Sequence, residues 1–240
     1  MFPVGVLANL LYPPACLLCR APLPDAVAER IFCNDCQRRM PRIDPPACSR
    51  CGVGLRGAFD AHLLCSICQS APLAFDVARA PWWYAGSAQA AIRQFKYSRR
   101  WRIGHTLAVQ MAAAASALPL DEVDAVLPVP LHWLKGRFKG FCPPAYLAQI
   151  VASLLNKPYL SSALHRARWT ATQTSLGWRE RFRNVDRAFA ARSPLINGRS
   201  VLLIDDVLTS GATADACART LKTAGARRVF LLTAARTPAP

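Results

Sequence analysis

Eight of the ten cysteines of this 240-residue chain fall within its first 68 positions, as four C-x-x-C pairs: Cys16/Cys19, Cys33/Cys36, Cys48/Cys51 and Cys65/Cys68. Each cysteine of the first two pairs recurs 32 residues on, so both halves read C-x2-C-x13-C-x2-C. A two-residue gap lets both thiolates of a knuckle face one ion, and two knuckles complete a tetrahedral four-thiolate site. A disulfide framework needs an oxidising compartment, which no segment here targets. A thioredoxin-like redox pair is usually single and set in a βαβ unit. Two structural Zn2+ sites remain, with every thiol used and no ligand position open for catalysis. Four pairs can be matched in three ways. The repeat favours sequential pairing, which makes each half self-sufficient, and a cross-braced arrangement is the alternative. Gly52, directly after Cys51, suits the tight turn of a knuckle. Cys142 and Cys217 stand alone and read as small buried or semi-buried residues.

Length and composition bound the rest. A chain of 240 residues that is 52% hydrophobic excludes intrinsic disorder and accommodates one ordinary domain with an appendage, or two small domains. The expected division is 1–70, a double zinc ribbon, and 71–240, a second domain. A small module with few large apolar side chains needs metal staples to fold. The run Thr106–Leu118 is too short for the roughly 20 residues of a membrane span. The start, MFPVGVLANLLYPPAC, has no charge before its apolar stretch and no small-residue cleavage site, so no signal peptide is expected. A cytoplasmic location follows as the expectation. The formal net charge of +16 calls for an anionic partner. Eight thiolates and two Zn2+ would lower it to about +12.

The basic excess is concentrated in the middle of the chain, interleaved with aromatics. One cluster is Arg93, Phe95, Lys96, Tyr97, Arg99, Arg100, Trp101 and Arg102; the other is Arg166, Arg168, Trp169, Trp178, Arg179, Arg181 and Arg183. Such mixtures suit phosphates beside stackable bases. Any single member reads equally well as a solvated face or a core aromatic.

Beyond residue 70, apolar runs alternate with helical patterns. Strands are predicted over Asp76–Tyr84, Val123–Val129, Ser200–Ile204 and Val229–Ala234, with Pro158–Leu164 extended. Helices are predicted over Ala88–Tyr97, Ile103–Ala117, Pro144–Leu155 and Thr213–Ala224, the last closed by Gly225. Short apolar strands alternating with helices indicate an α/β fold, a parallel sheet covered on both faces. Ligands of such sheets sit at the carboxyl ends of strands, here Pro128–Leu131 and Asp205–Thr213.

The segment VLLIDDVLTSGAT, Val201 to Thr213, carries the strongest chemical signal. A buried strand delivers Asp205 and Asp206, and Thr209, Ser210, Gly211, Ala212 and Thr213 then open a helix. The backbone N–H groups, the helix N-terminus and three hydroxyls form an anion cradle, with Gly211 allowing close approach. Paired acids beside a phosphate seat suit ribose hydroxyls or Mg2+. No lysine follows the glycine, so this is not a Walker loop.

Four apolar residues followed by D-D-x-x-T-S-G-x-T resemble the phosphoribosyl pyrophosphate (PRPP) signature of type I phosphoribosyltransferases. The resemblance implies that Asp205 and Asp206 hold the ribose 2′- and 3′-hydroxyls. It implies equally that Val207, Leu208, Thr209, Ser210, Gly211, Ala212 and Thr213 bind the 5′-phosphate. Nearly the whole chain resembles the ComF family, linked to natural competence and DNA uptake. The likeness rests on the C-x-x-C ribbons, FKYSRR, VLPVPLHWLKGRFKGF, LHRARWTATQTSLGWRERFRNVDRAF and the PRPP loop. In the third block Arg166, Arg168, Thr170, Gln173, Leu176, Arg181, Asn184 and Phe189 match the family spacing. Two departures stand out. Lys139-Gly140-Phe141-Cys142-Pro143 replaces the usual R-G-F-N-Q, and Thr209 stands where purine-salvage relatives commonly carry an acid. The second departure argues against hypoxanthine or guanine as acceptor.

The resemblance implies displacement of pyrophosphate from PRPP by a nitrogen nucleophile, with Mg2+ as cofactor. Pro128, Val129, Pro130 and Leu131 resemble the pyrophosphate loop, with Arg137 and Lys139 close in sequence. Lys96 belongs to the basic set, and Arg166 and Arg168 fall in what would be a flap. No residue declares itself as general base; His132 and His165 are the histidine candidates. A second expectation is a single-stranded DNA-handling protein that uses the fold as scaffold or PRPP sensor, with competence or recombination proteins as partners.

Overall fold

The computed structural model describes residues 14–23, 30–55, 63–131, 141–168, 170 and 177–238. His132, Arg137, Lys139, Trp169, Gln173 and Leu176 lie outside the described residues.

The 32-residue cysteine repeat is also a structural repeat. The first half carries the bridge Ala15↔Pro22 and helix α1 (Asn34–Arg38). The second carries the corresponding bridge Ala47↔Gly54 and helix α2 (Ser66–Ser70). In each half the third cysteine stands immediately before the helix, so the second knuckle is the helix's first turn.

The remainder is built on a parallel sheet. In chain order come β1 (Val77–Arg79), β2 (Trp82–Trp83), α3 (Gly86–Ser98), α4 (Trp101–Ala114), β3 (Ala125–Pro128) and α5 (Pro143–Leu154). Then follow β4 (Leu164–Arg166), α6 (Trp178–Val185), β5 (Phe189–Ala191), α7 (Ser193–Ile196), β6 (Ser200–Leu208), α8 (Ala212–Thr223) and β7 (Arg228–Arg236). The strand order is β1-β7-β6-β3, with β2 also pairing with β7, and every pairing in this sheet is parallel. β4 and β5 form a separate antiparallel pair.

Strand side chains alternate between faces, and the two central strands show where each half of the core goes. Leu202, Ile204, Phe230 and Leu232 join α3, α4 and α5. Each helix offers an apolar stripe at helical spacing: Ala88, Ile92 and Phe95; Ile103, Leu107 and Met111; Leu147, Ala148 and Val151. Val201, Leu203, Val229 and Leu231 join α8, β4 and β5 on the other face. The two cysteine modules divide the same way. Cys16, Phe32 and Met40 of the first belong to the α3–α5 side, while Cys48, Val53 and Cys68 of the second belong to the α8 side.

Hydrogen bonds from side chain and backbone fasten the first module to the α3–α4 region and the second to β1. Arg100 donates to the Leu17 carbonyl at 2.6 Å, and Ser87 N–H donates to the Arg39 carbonyl at 2.9 Å. In the second module Ala78 N–H donates to the Arg50 carbonyl at 2.6 Å. Gly52 has φ +67°, and a Cβ there would lie 2.5 Å from the Ala78 carbonyl oxygen. Glycine is therefore required both by the turn and by the approach of β1.

Several elements differ from expectation, among them the following. The single strand Asp76–Tyr84 divides into β1 and β2, because Pro81 has no N–H to give the ladder. β6 runs on to Leu208, since Asp205 pairs with Thr233 and Val207 with Ala235; the acids lie within the strand. The stretch Pro158–Leu164 holds one extended contact, Val126↔Tyr159, before turning at Ser161. Helix α6 was not anticipated. Its sequence signal is Glu180, whose carboxylate accepts from the Gly177 N–H at 2.8 Å, three residues back at the helix start.

Candidate functional site

The eight N-terminal cysteines form two groups, Cys16, Cys19, Cys33 and Cys36 in one and Cys48, Cys51, Cys65 and Cys68 in the other. The pairing is sequential. Within each group all sulfurs lie within 4.8 Å of one another. Cys19 and Cys33 Sγ are 3.5 Å apart and Cys51 and Cys65 Sγ 3.6 Å. A tetrahedron with Zn–S bonds near 2.3 Å has edges of about 3.8 Å, so the residues fit the ion. The electrostatics agree. A hydrogen bond from Cys51, with backbone N–H groups, draws the Cys48 thiol down to about 4, while the same contact pushes Cys51 up. Thiols this crowded ionise together only around a cation.

The second site gathers at the carboxyl ends of β6 and β7. Lys96, Arg181, Asp205, Asp206, Val207, Leu208, Thr209, Gly211, Ala212, Thr213, Leu231 and Thr233 line a cavity of about 340 Å³. Gly211 caps α8 with φ +84°, the left-handed conformation that turns the loop into the helix. Ser210 Oγ accepts from the Ala212 N–H at 3.4 Å, so this hydroxyl braces the loop. Leu73, from the segment after the second cysteine module, packs against Gly211. Next to it Ala74 N–H donates to Asp215 at 2.7 Å, an acid that also pairs with Arg219 at 2.7 Å.

The adjacent acids acquire different partners through strand alternation. Asp206 is buried and forms an ion pair with Lys96 Nζ at 2.7 Å. Lys96 follows the buried Phe95 on α3 and is itself half-buried. Burial opposes its charge, yet the contact with Asp206 raises its pKa on balance. Asp205 interacts electrostatically with Lys96, Arg166 and Cys217. Burial first, and the neighbouring Asp206 charge second, push its carboxyl up to about 7, against the pull of Lys96 and Arg166.

Arg166, half-buried on β4, lies over the Phe189 ring at 5.2 Å and donates to Thr170. Arg168 turns elsewhere, donating to the carbonyls of Asn184 at 3.1 Å and Asp186 at 2.7 Å, where it caps the end of α6. Pro128, Val129, Pro130 and Leu131 end β3, with Val129 N–H donating to the Ile204 carbonyl at 2.8 Å. Cys142 stands near this turn: the Leu131 backbone hydrogen-bonds its thiol, and both acids act on it. His165 is exposed on β4 and is not among the cavity residues. Arg181 and Thr233 join the site without having been singled out for it. Arg181 had a signal in the third sequence block; Thr233 had none, because only its register with Asp205 brings it there.

A double four-cysteine module joined to a parallel α/β sheet, with an acidic strand end that opens a glycine-capped helix, defines the class of protein. Residues 7–70 match a family model described as "Double zinc ribbon domain". The chain is 33% identical over 158 residues to the "DNA utilization protein YhgH" of Escherichia coli K12, covering 64% of this chain and 69% of that protein. It is 30% identical over 146 residues to "Competence protein F" of Haemophilus influenzae, covering 58% of this chain and 63% of that one. The chain belongs to the ComF family. Among solved structures, glutamine PRPP amidotransferase from B. subtilis aligns with 53% of this chain and 25% of its own, at 21% identity and TM-score 0.37. Orotate phosphoribosyltransferase from Aeropyrum pernix aligns with 60% of this chain and 75% of its own, at 14% identity and TM-score 0.32.

Proposed function

We propose that this chain binds PRPP in the cavity at the ends of β6 and β7 and transfers its phosphoribosyl group to a nitrogen nucleophile, releasing pyrophosphate. The observation that carries this reading is the joint placement of Asp205, Asp206 and the Gly211-capped loop around one cavity with Lys96 and Arg181. The loop N–H groups and the start of α8 suit the 5′-phosphate. The two carboxylates suit the ribose diol, and Lys96 and Arg181 suit departing charge. Asp205 and Asp206 are also the residues that would meet Mg2+, which offsets pyrophosphate charge when bound. The exposed Thr209 offers a hydroxyl and no acid to an acceptor. The names of the relatives support a link to competence and DNA use, and we place the protein in the cytoplasm. We take 71–240 as the transferase domain, with 1–70 fastened to it.

Calorimetric titration with PRPP and Mg2+ tests the binding, and pyrophosphate release with candidate acceptors tests the transfer. A carboxylate accepts two diol hydrogen bonds better than a protonated acid does, so affinity is expected to rise between pH 6 and pH 8 as Asp205 ionises near 7. No heat at any pH would overturn the reading.

A second reading, single-stranded DNA binding, is favoured by one observation. Tyr97 (70% exposed) and Trp101 (47% exposed, one side of its ring packed against Phe141 and Tyr146) accompany exposed Arg93, Arg99 and Arg102. Stacking aromatics among guanidinium groups suit a sequence-tolerant strand. Arg100 is excluded from this face, being engaged with Leu17. Affinity for a labelled oligonucleotide is expected to fall steeply with salt and by about tenfold in Trp101→Ala. Salt-insensitive binding, or none, removes this reading.

A further inference from the structure

The two zinc centres are unequal, and the difference comes from the sheet. In the second ribbon Cys48, Cys51, Cys65 and Cys68 are all buried, whereas in the first Cys19 is exposed and Cys33 half-buried. A zinc ion held by four thiolates carries a net charge of −2, and burying it uncompensated is costly. Around the first ribbon's sulfurs the hydrogen bonds come from within the ribbon: Cys36 N–H donates to Cys33 Sγ at 3.4 Å. The second ribbon has, in addition, two arginines from the sheet beside it, Arg79 and Arg236.

Arg79 ends β1. It donates to the Ser49 carbonyl, between the two cysteines of a knuckle, at 3.1 Å, and it acts electrostatically on Cys48 and Cys51. Arg236 ends β7, is 6% exposed, and acts on Cys51. Its buried Nε has no hydrogen-bond partner among the described residues. A guanidinium keeps its charge, so a buried one is stabilised by negative charge nearby, and its unused N–H leaves a donor for an acceptor such as a thiolate. Trp83, which pairs with Arg236, closes the ribbon against the sheet: its ring lies 2.8 Å from where a Cβ on Gly54 would be.

We propose that Arg79 and Arg236 are the counter-charge of the second zinc centre, so that β1 and β7, and not the ribbon alone, determine how tightly that metal is held. The first zinc then depends on its own ribbon and exchanges more readily. This assignment is independent of what the cavity binds.

The test uses the full zinc-loaded chain, challenged with excess EDTA. Released zinc is followed with an indicator dye, and newly reactive cysteines are mapped by alkylation and mass spectrometry. In the unaltered protein the first ribbon's cysteines are expected to react first. Arg236→Met, which keeps bulk and removes charge, is expected to speed loss of the second zinc by roughly 10–100-fold. Reactivity should then appear at Cys48, Cys51, Cys65 and Cys68, with the first ribbon unchanged, and Arg236→Lys should restore retention. Arg79→Gln keeps a donor for the Ser49 carbonyl, lies at a half-exposed position, and should show the same selective loss. It decides the matter if Arg236→Met lacks native circular dichroism. Retention of the second zinc at the original rate in both neutral variants, or equal acceleration at all eight cysteines, overturns the proposal.

Discussion

Asp206→Asn and Asp205→Asn are each expected to weaken PRPP binding by about ten- to a hundredfold. A hydrogen bond to a charged group contributes about 1.5–3 kcal/mol, and roughly 1.4 kcal/mol is a factor of ten. The two variants should differ in signature. Asp206→Asn removes the counter-charge 2.7 Å from Lys96, whose side chain is only 26% exposed, and leaves that ammonium for the ligand's phosphates alone. It should keep a rise in affinity with pH, moved to lower pH because the Asp206 charge no longer pushes the Asp205 carboxyl up. Asp205→Asn deletes the group held near 7 and should flatten that profile.

Stability separates loss of binding from loss of fold. The carboxyl of Asp205 titrates higher in the folded chain than in the unfolded one. Its contribution to stability is thus full below about 4 and is lost as pH rises through about 7. At pH 8 Asp205→Asn removes a half-buried like-charge neighbour of Asp206, so its thermal midpoint should match or exceed that of the original protein. Unchanged PRPP affinity in both variants would remove the cavity from consideration as a PRPP site.

Cys51→Ser is expected to cost one zinc per chain and to abolish the cooperative thermal transition. Structural zinc sites contribute on the order of 10–16 kcal/mol at neutral pH, against total domain stabilities of about 5–15 kcal/mol. Cys51 is 1% exposed and shares its core with Phe75, Ala78, Leu203 and Leu231, so opening the ribbon exposes one face of the sheet. Cys19→Ser touches the exposed corner of the first ribbon and should cost less. Calorimetric melting with zinc quantitation reads both outcomes. A Cys51→Ser protein with two zincs and an unchanged melt would show that this cysteine is not a ligand.

Much of the molecule was legible before any coordinates. Cysteine spacing is local, and a two-residue gap constrains both thiolates whatever surrounds them; the 32-residue repeat then carried over to the bridges and helices of both ribbons. The apolar stripes of α3, α4 and α5, the strands β3 and β7, and the loop into α8 follow from periodicity and from glycine. The division of Asp76–Tyr84 was also encoded, in Pro81, but the apolar residues around it read as one run. Where a strand ends depends on its neighbour: β6 continues through the acids because β7 is equally long.

The sequence by itself determined that two four-thiolate centres precede an α/β sheet with an acidic, glycine-turned strand end, because each of these is written in short spacings. The tertiary structure alone decided that the buried residues of the two ribbons join different halves of the core. It also decided that Lys96 reaches across more than a hundred positions to Asp206, and that Arg79 and Arg236 meet at one metal centre. A charge's partner is set by which strands become neighbours and which face each side chain takes, and neither is contained in a local run of residues.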